Sequence, residues 1–165
     1  MKIYVASSWR NDKQPFVVKR LREEGFEIYD FKNATKPPYG QNIKDVVGGF
    51  HWSEIDPDWQ DWSPSQFKHA LKHPLAKEGF GRDYTAMQEC DACVMIMPCG
   101  RSAHLELGWA TGANRKSAIL LCSEGATEPE LMYDMVDFMT EDLDHLIEWL
   151  HSIKSKLKPF NFSSI

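Results

Sequence analysis

The segment Ala92-Cys93-Val94-Met95-Ile96-Met97 is apolar without interruption, and it is followed at once by Pro98-Cys99-Gly100-Arg101. A run of this length, bounded by a turn signal, reads as a strand covered on both faces, and strands of that kind belong to parallel sheets flanked by helices. Lys2–Ala6 and Ser117–Cys122 have the same buried, strand-like character, and Glu27–Asp30 reads as another short strand. Between the first two strands, Phe16, Val17, Val18 and Leu21 recur at helical spacing from about Lys13 to Glu24, and Gly25 closes the helix. Further helical patterns fall at about Pro64–Lys72, Lys77–Glu89, Ser102–Ala113 and Asp142–Lys156, with a short turn from Pro129, a fifth strand at Val136–Met139 and an extended tail from Pro159. Strands alternating with helices predict an α/β fold around a parallel sheet of about five strands. A chain of 165 residues accommodates one such domain, and residues 1–165 are read as a single unit.

One stretch breaks the rhythm. Residues 31–63 hold Pro37-Pro38, Gly48-Gly49 and the tryptophans Trp52, Trp59 and Trp62, so they are read as a Trp-rich insertion that packs over something.

Composition narrows the partners. The net charge is −5, with both signs mixed along the chain and no basic stripe, which argues against polymeric nucleic acid. No run approaches the ~20 apolar residues of a membrane span. The first strand begins at the N-terminus, leaving no room for a signal peptide, so a cytoplasmic location is the default expectation. Cys90 and Cys93 form a CxxC pair, but it joins a helix end to a strand start, the reverse of a redox motif, and is read as buried thiols. No second ligand pair at finger-like spacing accompanies it, so no metal is expected. His69 and His73 are read as solvated.

In parallel α/β sheets, ligands sit beyond the carboxyl ends of the strands, near the switch in strand order. That rule selects the loop from Ser7 to Asn11, the segment after Asp30, and the loop from Pro98 to Ser102. In the last of these, Ser102 is expected to cap a helix whose first-turn N–H groups, with Arg101 and the Ser102 hydroxyl, form an anion site. Glu106 lies one turn further on. The helix N-terminus is expected to hold it ionised, which suits a nucleophile; alternatively it is a surface residue complementing the helix dipole, although Leu105, Leu107, Trp109 and Ala110 are apolar company. Asp83 is placed at the start of its helix, either as a functional acid or as an N-terminal dipole partner. No Walker or GxGxxG pattern is present, and no cofactor is expected.

These residues, from Lys2-Ile3-Tyr4-Val5-Ala6 through Gly100-Arg101-Ser102-Ala103-His104-Leu105-Glu106-Leu107-Gly108 to Pro129-Glu130-Leu131-Met132, resemble the nucleoside 2-deoxyribosyltransferase-like family. The resemblance implies a flavodoxin-like three-layer sandwich and a homodimer or higher oligomer in which a neighbouring subunit completes each site. It implies Glu106 as the nucleophile attacking the anomeric carbon, Tyr4 as its orienting residue and Asp83 as the proton donor to the leaving base. Glu130 and Met132 then fall where the neighbour reaches in. Two positions depart from the transferases: Gly100 stands where they often carry Asp, and Glu130 where they tend to carry Asn. The loop with Arg101 and Ser102 is more similar to the branch that hydrolyses nucleoside 5′-monophosphates, where it would hold phosphate. Ser7, Gly100 and Trp52 are the remaining candidate substrate contacts, with one of Trp52, Trp59 or Trp62 expected to stack on the base. Two other readings share this architecture: a TIR-like NAD-cleaving enzyme, which also uses a glutamate, and a nucleotide-binding module without turnover.

Overall fold

The computed structural model describes residues 1–40, 42–121 and 129–157. Strands β1 (Lys2–Ala6), β2 (Glu27–Asp30), β3 (Ala92–Ile96), β4 (Lys116–Leu120) and β5 (Phe138–Thr140) form one sheet in the order β2-β1-β3-β4-β5. Every neighbouring pair is parallel. This is the flavodoxin-like arrangement, with the switch in strand order between β1 and β3.

Each face of the sheet is covered, as the uninterrupted apolar strands require. On one side α1 (Gln14–Glu23) and α5 (Leu143–Leu157) bury Val17, Val18, Leu21, Leu146, Ile147 and Leu150 against Ile3, Val5, Val94 and Ile96. On the other, α3 (Pro74–Glu89) and α4 (Arg101–Gly112) bury Ala86, Met87, Ala103, Leu107 and Ala110 against Tyr4, Tyr29, Cys93, Met95 and Ile119. Alternation along β1 therefore sends Ile3 and Val5 to the first core and Tyr4 and Ala6 to the second.

Several predicted boundaries shift, each for a local reason. Helix α3 begins at Pro74 rather than near Lys77, because the His73 side chain accepts a hydrogen bond from the Leu75 N–H and Pro74 fits the first helical position. His73 is exposed, as expected, but has this capping role. Helix α4 starts at Arg101, with Gly100 rather than Ser102 as its N-cap and no side chain closing the cap. Strand β5 begins at Phe138 because Asp137 is tied sideways to β4, accepting from the Ser117 N–H and from Lys116 Nζ. Helix α5 is capped by Asp142, whose Oδ1 accepts from the Asp144 and His145 N–H groups. The short turn expected from Pro129 is a 3₁₀ turn over Leu131–Met135. Strand β4 ends at Leu120; Cys122 and the tail from Pro159 lie outside the described residues.

Between β2 and α2 (Pro64–Ala70) the described residues of the insertion form four 3₁₀ turns and an aromatic cluster of their own. Phe50, Trp62 and Phe67 pack edge-on around Trp52, while His51 lies between Trp9 and Trp59. Two glycines let this cluster dock. A side chain at Gly49 would bring its Cβ to 1.9 Å from the Phe31 carbonyl oxygen, and one at Gly79 to 2.6 Å from Phe50 Cβ. Cys90 and Cys93 are buried free thiols in the α3/α4 core, and burial pushes both thiols up, Cys90 to about 11. No described helix is long and apolar enough to cross a membrane.

Candidate active site

Parallel pairing lays Tyr4 beside Tyr29 and, on its other side, beside Cys93, all on the face toward α3 and α4. The Tyr4 and Tyr29 rings stack at 5.4 Å with an interplanar angle of 16°. Two nearly buried phenols thus lie side by side on the sheet, and two acids descend on them from the helices above.

Asp83 comes from α3. It lies within the helix rather than at its start, since the helix begins nine residues earlier; the reading of Asp83 as a dipole partner at an N-terminus is thereby removed. Tyr29 donates a hydrogen bond of 2.7 Å to Asp83 Oδ1. Burial raises the Asp83 carboxyl, with Tyr29 and the neighbouring Arg82 drawing it back.

Glu106 comes from α4. The small residues Ala103 and Ala110, both buried, share its helix face, so the helix approaches the sheet and turns Glu106 inward. Burial first, and the nearby Asp83 charge second, push the Glu106 carboxyl up to about 8, while the Tyr4 hydroxyl draws it back down. This corrects the expectation that the helix N-terminus holds Glu106 ionised: its dipole fades beyond the first turn, and Glu106 is the sixth residue of the helix. Desolvation and a like charge outweigh it. Asp83 and Glu106 therefore behave as a coupled pair that retains a proton into the neutral range.

The loops at the carboxyl ends of β1 and β3 are stitched together beside this pair. Ser7 Oγ donates to the Ile96 carbonyl at 3.0 Å, and Asn11 Nδ2 donates to Ser7 Oγ, the Ile96 carbonyl and the Pro98 carbonyl. Asn11 Oδ1 meanwhile accepts from the Lys13 and Gln14 N–H groups at the start of α1. Ser7 is thus buried and committed to the architecture of the switch point. Arg101 and Ser102 are exposed in the first turn of α4, next to the extended Gly100.

The remaining candidates lie elsewhere. Trp52 belongs to the aromatic cluster of the insertion. Glu130 and Met132 are exposed and line a groove of about 230 Å³ with His104, Leu107, Gly108 and Tyr133. Residues 104, 108 and 111 occupy the helix face nearly opposite Glu106, with Leu107 between that face and the sheet. In that groove His104 Nδ1 donates to the Gly100 carbonyl at 2.9 Å, so its Nε2 accepts from the Tyr133 hydroxyl at 2.7 Å. Sequence reasoning missed Tyr29 and Asn11. Strand register between β1 and β2 was the signal for Tyr29; Asn11 offered only its place in a selected loop. Among the described residues no group of three or more His, Cys, Asp or Glu is placed to hold a metal ion.

No family model and no curated protein matches the chain. Solved structures do. The chain is similar to a 2-deoxyribosyltransferase from the psychrotolerant bacterium Bacillus psychrosaccharolyticus, with 17% identity, 89% of this chain and 90% of that chain covered, and a TM-score of 0.53. A match is also found to the CMP N-glycosidase BcmB of Clostridium botulinum, with 16% identity, 92% and 99% covered, and a TM-score of 0.47. At such identity the likeness to the deoxyribosyltransferase is one of fold, and the five-stranded flavodoxin-like sheet with its helices is what the two chains share.

Proposed function

We propose that this protein cleaves or transfers the N-glycosidic bond of a (deoxy)nucleoside or nucleoside 5′-monophosphate, with Glu106 as nucleophile and Asp83 as acid. The observation that carries the reading is the half-buried Asp83–Glu106 pair at the sheet's ligand-binding end, each carboxyl matched to its own buried tyrosine. Two carboxyls are the parts this chemistry needs: one to meet the oxocarbenium-like sugar carbon, the other to protonate the departing group. Burial favours the pair's retained proton on Glu106 in the resting protein, and the reaction requires that it pass to Asp83, leaving Glu106 as the anion.

A Glu106 carboxylate oxygen then bonds to the anomeric carbon as the carbon–nitrogen bond breaks. The electron pair of that bond stays with the base, which takes the Asp83 proton. Water returns a proton to Asp83 as its oxygen attacks the same carbon, and the ester bond to Glu106 breaks with its electrons returning to the carboxylate. When a second base attacks in place of water, the outcome is transfer. Arg101, Ser102 and the uncapped N–H groups at the start of α4 would hold a 5′-phosphate, which tilts the reading toward nucleotides. Glu130 and Met132, exposed along the groove beside His104 and Gly108, are suited to a neighbour's site. The apolar side chains of Leu105, Leu131 and Met132, exposed by 76%, 88% and 60%, favour a homodimer or larger oligomer.

The test is a panel of ribo- and deoxyribonucleosides, their 5′-monophosphates and NAD, with released base read by chromatography for the wild type and for Glu106→Gln. Release from nucleosides or monophosphates that disappears in the variant supports the reading. Release from NAD alone would favour a TIR-like activity, and binding without release a module that lacks turnover.

A further inference from the structure

We propose that Tyr29 is a positioning residue for this reaction, its phenol holding the Asp83 carboxyl in the orientation that delivers a proton to the departing base. The inference rests on the reading of Asp83 as the acid, and it assigns a role to a residue outside the set the sequence singled out.

Four observations converge on it. Tyr29 is 1% exposed, so its hydroxyl has exchanged water for whatever it meets inside the protein. What it meets is Asp83 Oδ1, at 2.7 Å. The ring cannot swing away, because Tyr4 stacks on one side at 5.4 Å and Tyr39 packs on another at 6.0 Å and 57°. Tyr39 in turn donates to the Ala86 carbonyl at 2.7 Å, three residues along the same helix as Asp83. The helix that carries the acid is thus tied to β2 by the Tyr29 phenol, which ends on the acid itself, and to the turn of the insertion by the Tyr39 phenol.

The chemistry follows from donor and acceptor roles. Burial and the Asp83 charge push the Tyr29 phenol far above its ordinary range, so it stays protonated and acts only as a donor. Asp83 Oδ1 is then an acceptor, and the proton that Asp83 carries sits on Oδ2. Without the phenol O–H, either oxygen can carry it and the carboxyl is free to rotate. Misplacement of a reacting group by about an ångström costs on the order of 10²-fold in rate.

The experiment uses Tyr29→Phe, which keeps the ring and its stacking and removes only the hydroxyl, in wild-type and Asp83→Asn backgrounds of the full chain. Substrates are nucleosides or monophosphates with good and poor leaving bases. The expected result is a fall in kcat of roughly 10- to 100-fold, KM changed by less than about threefold, and a larger loss for poor leaving bases than for good ones. In the Asp83→Asn background the same change should have no further effect, because Tyr29 acts through a group already disabled. The ratio of rates for good and poor bases is read within each preparation, so incomplete folding of a variant cancels from it. An unchanged ratio in Tyr29→Phe, or losses that multiply in the double variant, would overturn the inference and leave the proposed reaction standing. A wild-type protein that releases no base from any of these substrates would overturn the reaction itself and Tyr29's role with it.

Discussion

Glu106→Gln should make the protein more stable at alkaline pH while removing its activity. The side chain keeps its shape and its ability to accept from Tyr4, and loses only its charge. An unperturbed glutamic acid releases its proton at 4.5, and in the fold Glu106 releases it at about 8. At 1.4 kcal/mol per tenfold change, holding the anion in place costs the native state about 5 kcal/mol. The direction in pH follows from which state binds more protons. Below 4.5 Glu106 is neutral whether folded or unfolded and contributes no penalty. Between 4.5 and about 8 the native state holds a proton that the unfolded chain has released, so stability falls as pH rises; above 8 the penalty is complete. The glutamine amide brings its own burial cost of roughly 1–3 kcal/mol, independent of pH. The variant is therefore expected to match the wild type or fall slightly below it at pH 5, and to exceed it by about 2–4 kcal/mol at pH 9. Urea unfolding followed by tryptophan fluorescence at the two pH values measures this, and base release on the same samples should fall on the order of 10³-fold or more. A variant that is less stable than wild type by the same amount at both pH values would refute the claim that this carboxylate is desolvated.

Other consequences are open to direct measurement. Asp83→Asn should lower kcat on the order of 10²–10⁴-fold for poor leaving bases and far less for good ones; uniform slowing across bases would argue against its role as acid. The pH profile of kcat/KM should fall on its alkaline side with an apparent pKa near 8, as the carboxyl pair loses its last proton and no acid remains for the base; a plateau extending to pH 10 would contradict this. Gly49→Ala would drive a methyl group into the Phe31 carbonyl oxygen at 1.9 Å, so unfolding measurements should show a loss of about 1–3 kcal/mol or more as the insertion lifts from Trp9. A neutral effect would mean that the insertion does not depend on this close approach.

Much of the scaffold was legible because buried parallel strands leave a strong signal. The apolar run after Asp91, the helical spacing of Val17, Val18 and Leu21, and the glycine at position 25 each state their element locally. Helix starts were less legible. His73 caps through its imidazole Nδ1 and Gly100 through its extended backbone alone, neither of which the sequence around Lys77 and Ser102 revealed. Tyr4, Asp83 and Glu106 were named from the sequence, and the fold brings them together. The electrostatic state of Glu106 was not legible, because it depends on desolvation by elements far apart in the chain. Nor was Tyr29, whose place beside Tyr4 is set by strand register and whose partner is 54 residues away. Trp52 reads as a ligand contact from its place in an irregular segment; what the sequence did not reveal is its set of ring partners, Phe50, Trp62 and Phe67.

The most direct test of the account is to trap the sugar on the protein. A 2′-deoxy-2′-fluoro nucleoside 5′-monophosphate with a good leaving base should slow breakdown of the glycosyl ester, because fluorine destabilises the oxocarbenium-like transition state. Peptide mass spectrometry after acid quenching should then find the sugar phosphate attached to the peptide containing Glu106, with one base released per site. Base release with no sugar on that peptide, or with the sugar on another residue, would contradict the assignment of Glu106 as the nucleophile.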